Sequence, residues 1–117
     1  MKHKTIHIRD PWTMPYREHA DILIDALHKQ IGPRHPLYRR KAFPLAVSRE
    51  LGAVLFETDD EPDTYAVVYM EWGPHILARK RSRNPKSEVL IDRRAVQERI
   101  DRDQKQWLTQ FLPPPEV

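Results

Sequence analysis

The chain contains no cysteine, and only three of its 117 residues are glycine. Without thiols there are no disulfides, no zinc–thiolate centre and no thiol catalysis, and the composition suits a reducing compartment, so a cytoplasmic location is expected. Also missing are a nucleophile elbow, a phosphate loop, a dinucleotide fingerprint and a zinc pattern. No window approaches the ~18 to 20 apolar residues needed to span a bilayer, and the basic N-terminus lacks the apolar stretch of a signal peptide. There is no internal repeat and no low-complexity linker. These absences leave the folding pattern as the chain's most informative content.

That pattern centres on three apolar runs: Leu45-Ala-Val-Ser-Arg, Ala53-Val-Leu-Phe-Glu-Thr and Tyr65-Ala-Val-Val-Tyr-Met-Glu-Trp72. β-branched and aromatic residues at period two, punctuated by Gly52 and the acidic turn at Asp59 to Asp63, predict three strands of an antiparallel meander. Pro44 cannot donate to a ladder, so the first strand is an edge or begins after it. Ser87 to Ile91 predicts a last short strand, and Ile76 to Arg83 reads equally as a basic edge strand or a loop. A first helix opens at Met14-Pro15-Tyr16 with the stripe Tyr16, Ala20, Leu23, Ile24, Leu27 and Ile31, and Gly32-Pro33 stops it with a left-handed residue. A second helix is capped by Asp92 and carries Val96, Ile100, Trp107, Phe111 and Leu112, with an Asp101–Lys105 pair. The reading is therefore one α+β domain over residues 1–112, an antiparallel sheet of three to five strands flanked by an N-terminal and a C-terminal helix. A disordered proline-rich tail follows at 113–117. At this length about 65% of the unfolded chain's surface can be buried, enough for one core without staples.

The run His35-Pro-Leu-Tyr38, then Val54-Leu-Phe56 with its acidic turn, then Ala66-Val-Val-Tyr-Met-Glu-Trp72 resembles a small, widespread group of uncharacterised bacterial proteins of about this length. The resemblance covers roughly Ala20 to Trp72 and implies a bacterial source and a helix-plus-sheet fold, with no assigned activity. This chain departs from the pattern at Arg39, where glycine is expected after the tyrosine, at Glu71, where threonine is expected, and in a more basic stretch after Trp72. Immunity and antitoxin proteins of similar build offer an analogy for function.

Charge is segregated although the net value is only +3. Acidic residues gather between Glu57 and Asp63, while basic ones gather at Arg39-Arg40-Lys41, at Arg79 to Lys86 and at Arg93-Arg94. His3, His7 and Asp10 lie in an extended arm and lack the convergent geometry of a metal site, so no metal and no cofactor are expected. The carboxylates at 59–63 read as a solvated turn, because a general acid needs burial or a like-charged neighbour in a cleft. Ser48, Ser82 and Ser87 have no histidine partner in sequence context, so a non-enzyme is expected. His35 and Tyr38 form a candidate pocket with His75. Against that stands a structural corner in which Leu37 and Tyr38 plug the core and His35 bonds to backbone. The expected function is a non-catalytic protein-interaction module whose face is Trp72, His75, Arg79, Lys80, Arg81, Arg83 and Lys86, steered by charge to its partner. The alternative is nucleic-acid binding by the Arg79–Lys86 patch, for which basic density is present but aromatic interleaving is missing.

Overall fold

A computed structural model describes residues 6–58, 64–70, 86–90 and 92–111. The acidic turn, Trp72, His75, the Arg79–Arg83 run and the proline-rich tail lie outside the described residues, as does the choice between strand and loop at 76–83. The elements are a 3-10 turn at Arg17–His19, α1 (Ala20–Gln30), β1 (Ala42–Ser48), β2 (Ala53–Thr58), β3 (Tyr65–Tyr69), β4 (Ser87–Leu90) and α2 (Arg93–Thr109). The four strands form an antiparallel meander in the order β1-β2-β3-β4. This is the expected α+β architecture with a helix at each end of the sheet in sequence.

The central strands are more apolar than a half-solvated sheet requires, because both of their faces are covered. Val54, Phe56, Ala66, Val68 and Met70 pack with Leu23, Ala26 and Leu27 of α1, with Ile31 just after it, and with Leu37. The alternate residues Ala53, Leu55, Tyr65 and Val67 pack on the other face against Val96 and Ile100 of α2. Since successive side chains of a strand point to opposite faces, two covering layers turn an alternating pattern into continuous burial. β1 is an edge strand with Pro44 inside it, and the register shifts between Pro44 and Ala46, so a bulge absorbs the missing donor.

The second layer has a member the sequence pattern did not reveal. Residues 6–13 form an arm that crosses from α2 to the outer edge of β1, where Thr13 and Val47 exchange two backbone hydrogen bonds of 2.8 Å. Trp12, 1% exposed, is the largest fully buried side chain in the molecule's described part. Gln97 reads the arm as a neighbouring strand would: its Oε1 accepts from the His7 N–H at 2.8 Å and its Nε2 donates to the His7 carbonyl at 3.0 Å. Arg9 adds an ion pair to Asp101 at 3.4 Å. Asp101 thus faces the arm, where an intrahelical pair with Lys105 was expected.

Both helices deviate from their expected stripes. Tyr16 lies before the helix and is exposed, and α1 ends at Gln30 because Ile31 turns extended (φ −104°, ψ 148°) to bury its side chain. Gly32 is not among the residues with positive φ, so burial of Ile31, rather than a left-handed glycine, stops the helix. In α2 the buried side chains are Val96, Arg99, Ile100 and Asp103. Trp107 is half-buried and Phe111 exposed, the two rings meeting edge to face at 4.8 Å. Asp92 caps α2 as expected, accepting from the Ala95 N–H at 2.8 Å. Trp12→Ala should lower unfolding stability by about 3–5 kcal/mol in urea titration, the range for an aromatic truncated in a packed core. A change within a few tenths of that of an exposed substitution would show that the arm is not part of the core.

Candidate functional site

The start of β4 is where chemically capable side chains converge. Strand alternation sends Ser87 toward the α1 side and Glu88 toward the α2 side, and Lys86 precedes both. Lys86 also closes the ladder, its carbonyl accepting from the Tyr69 N–H at 2.8 Å.

On the α2 side a continuous polar chain runs into the core. Arg99, 8% exposed, holds Asp103 through Nε at 3.0 Å and Glu88 through Nη1 at 2.9 Å. Its Nη2 donates to the Tyr69 hydroxyl, which in turn donates to Glu88 Oε2 at 3.0 Å. Asp103 also accepts from the indole N–H of Trp12 at 2.8 Å. Arm, α2, β3 and β4 therefore share one network. Burial pushes the Tyr69 hydroxyl up, and its bond to Glu88 pushes the same way. Burial would raise Glu88 too, but the donors on Tyr69 and Arg99 outweigh it and hold the carboxyl below the usual 4.5. Arg99 is raised: burial opposes its charge, and Asp103, Tyr69 and Glu88 more than offset this. At neutral pH the set is a phenol between a carboxylate and a guanidinium, each held in its ordinary charge state.

On the α1 side His35 is buried and its Nε2 lies 2.5 Å from Ser87 Oγ. This is a serine–histidine contact that sequence spacing could not supply, since 52 residues separate the pair. Its polarity is set by the other ring nitrogen. Nδ1 accepts the Leu37 N–H at 3.1 Å, so the proton of the neutral ring sits on Nε2 and points at Ser87. A general base for serine would need Nε2 free to accept, with an orienting acceptor on Nδ1, and here the order is reversed. The contact ties the α1–β1 connection to β4.

The candidate pocket of His35 and Tyr38 with His75 extends outside the described residues, since His75 is not among them. The His35 ring turns inward to Ser87, while Tyr38 stays 37% exposed with the Arg39 guanidinium 5.6 Å from its ring centroid. Of the corner reading, the backbone bond to His35 and the buried Leu37 hold, and the plug formed by Tyr38 does not. Of the expected interaction face, only Lys86 falls among the described residues; it is exposed, with Nζ 5.7 Å from the Tyr69 ring centroid. A groove of about 660 Å³ runs along the arm, lined by residues that include Ile8, Arg9, Asp10, Trp12 and Gln104. Its cation is already engaged by Asp101. Among the described residues no group of three or more His, Cys, Asp or Glu side chains is placed to hold a metal ion.

Comparison with family models, with curated proteins and with solved structures gave no match for this chain.

Residues missed by sequence reasoning had a signal. Arg99 and Asp103 occupy the 99 and 103 positions of a 96, 99, 100, 103 stripe, so an opposite-charge pair at i,i+4 on an apolar helix face marks a buried ion pair. Three experiments check the geometry. Arg99→Ala strands Asp103 in the core and should cost about 3–5 kcal/mol in chemical denaturation. Because Glu88 is lowered, its contribution is present above pH 4.5 and lost as pH falls through its folded value; because Tyr69 is raised, its contribution is present below pH 10.0 and lost as pH rises through its folded value. Glu88→Gln should flatten the acid limb of a stability–pH profile, and an unchanged limb would contradict the assignment. Separately, a double-mutant cycle of His35→Ala with Ser87→Ala should return a coupling of about 1 kcal/mol, whereas additive losses would mean the contact contributes nothing.

Proposed function

We propose that this protein is a non-catalytic interaction module that presents a basic face to an acidic protein partner. The observation that supports it is the His35–Ser87 contact. His35 precedes Arg39-Arg40-Lys41 by four residues, and Ser87 directly follows Lys86, the end of the Arg79–Lys86 run. The contact brings the backbone of the Arg39–Lys41 loop and that of Lys86, far apart in sequence, to the same end of the sheet. Arg34, Arg39, Arg40, Lys41 and Lys86 are all exposed. Like charges gathered without burial do little for folding, but they steer an oppositely charged partner and set its orientation. The polar groups with catalytic potential are used internally, since the His35 proton faces Ser87 and the Tyr69–Glu88–Arg99 set is closed on itself.

The proposed face is this loop with Lys86, to which the sequence reading adds Trp72, His75, Arg79, Lys80, Arg81 and Arg83, all outside the described residues. Nucleic-acid binding through Arg79–Lys86 is the second reading, and what favours it is Lys86 beside the ring of Tyr69 at the strand end, a cation next to an aromatic. Affinity capture from a lysate of the source, with and without nuclease and at two salt concentrations, separates the readings. The interaction module predicts an acidic protein retained after nuclease, weakened by salt, and lost with Arg79→Glu plus Arg81→Glu at unchanged stability. Nuclease-sensitive recovery of RNA or DNA with a steep salt dependence would favour the second reading. Binding of either kind that ignores the charge reversals would overturn the proposed face.

A further inference from the structure

Two residues described here have the same left-handed backbone, Gly52 with φ +63° and Arg39 with φ +63°. Gly52 closes the β1–β2 turn, where the conformation alone is required and glycine supplies it without a steric penalty. At Arg39 the same backbone carries a long, charged side chain, which an L residue adopts against steric resistance. Glycine would satisfy the turn there too, so the backbone does not explain the arginine.

The side chain's internal contacts do not explain it either. Arg39 is exposed, and its guanidinium lies 5.6 Å from the Tyr38 ring centroid. A cation over an exposed ring is a weak interaction. The adjoining turns are built by backbone: His35 N–H to the Gly32 carbonyl, Tyr38 N–H to the His35 carbonyl and Arg40 N–H to the Leu37 carbonyl, each at 3.0 Å. None of them involves the Arg39 side chain. Leu37 and His35, buried just before this turn, hold the loop against the fold while Tyr38 and Arg39 project from it.

We infer that Tyr38 and Arg39 are the anchor of the basic face, a preformed aromatic–guanidinium pair that receives a carboxylate side chain of an acidic protein partner. Strained backbone retained at an exposed residue marks a site where the side chain acts outside the fold. Tyrosine and arginine are also the residue types that dominate interface energetics. The guanidinium offers a planar fork of donors that matches a carboxylate, and Arg40 and Lys41 beside it favour an acidic surface around that group. The pair fits a carboxylate better than a nucleobase, because the ring surface on which a base would stack is the one the guanidinium attends. This inference rests on the interaction-module reading and gives it a central contact.

The test measures thermal stability and binding together for Arg39→Gly, Tyr38→Ala and the control Arg17→Ala, which removes a cation from the 3-10 turn. Poly-L-glutamate serves as the acidic probe and single-stranded oligothymidylate as the nucleic-acid probe. The inference predicts that Arg39→Gly melts several degrees higher than the native chain yet binds poly-L-glutamate at least about tenfold more weakly, a loss of anchor size, while Arg17→Ala leaves binding nearly unchanged. Tyr38→Ala should weaken the same binding without raising the melting temperature. A lower melting temperature for Arg39→Gly would make Arg39 a structural residue and overturn the inference. Equal small losses for Arg39→Gly and Arg17→Ala would overturn it as well, as generic charge attraction. If Arg39→Gly binds poly-L-glutamate normally but Arg79→Glu plus Arg81→Glu does not, the anchor fails and the interaction module stands. If oligothymidylate alone is bound, both fail.

Discussion

Everything on the α2 side of the sheet depends on one buried ion pair, Arg99 with Asp103. Two charges removed from water cost several kcal/mol each unless their remaining donors and acceptors are met, and here they are met by three groups. Trp12 of the arm satisfies Asp103, while Glu88 of β4 and the Tyr69 hydroxyl of β3 satisfy Arg99. Apolar contacts alone would allow α2 to slide or rotate on Val96 and Ile100. A guanidinium whose donors need acceptors on two different strands fixes both the rotation of the helix and the register of β4. In this sense the pair specifies the arrangement, as buried polar groups do where apolar packing leaves alternatives.

The consequence for function runs through β4. That strand is short and, among the described strands, at the sheet's margin, yet its first residues are held from both sides: Glu88 by Arg99 and Tyr69, Ser87 by His35. The root of the segment carrying the Arg79–Lys86 run is therefore rigid, as is the base of the loop carrying Tyr38 and Arg39. For the proposed interaction module, such rigid placement lowers the ordering cost of association. The Leu37 N–H on Nδ1 favours the tautomer in which His35 donates to Ser87.

How much of this was readable beforehand follows from what each residue responds to. The strands around Leu45, Ala53 and Tyr65 were legible because β-propensity and period-two burial are local, and the Asp92 cap because it answers to its own first turn. The end of α1 was misread because tertiary burial of Ile31 overrides the glycine that follows it. Trp12 was invisible as core because an extended arm has no periodicity to betray a buried face. Arg99 and Asp103 were missed because charge on a helix ordinarily means solvent, and only their i,i+4 position within an apolar stripe argued otherwise. Tyr69, Glu88, Ser87 and His35 come together through strand order, which sequence alone does not fix. Arg39 is the reverse case: the sequence reading expects glycine after Tyr38, and the left-handed backbone supplies the physical reason that glycine suits the position.

The central claim is that the Arg99–Asp103 pair makes arm, sheet and α2 one cooperative unit. Native-state hydrogen exchange of two amides tests it most directly: Thr13, which bonds to the Val47 carbonyl, and Val67 in the central strand β3. The account predicts that both exchange with the free energy of global unfolding and that Asp103→Asn lowers the two together. Thr13 exchanging orders of magnitude faster than Val67 in the native protein would show an arm that opens on its own, and would contradict the account.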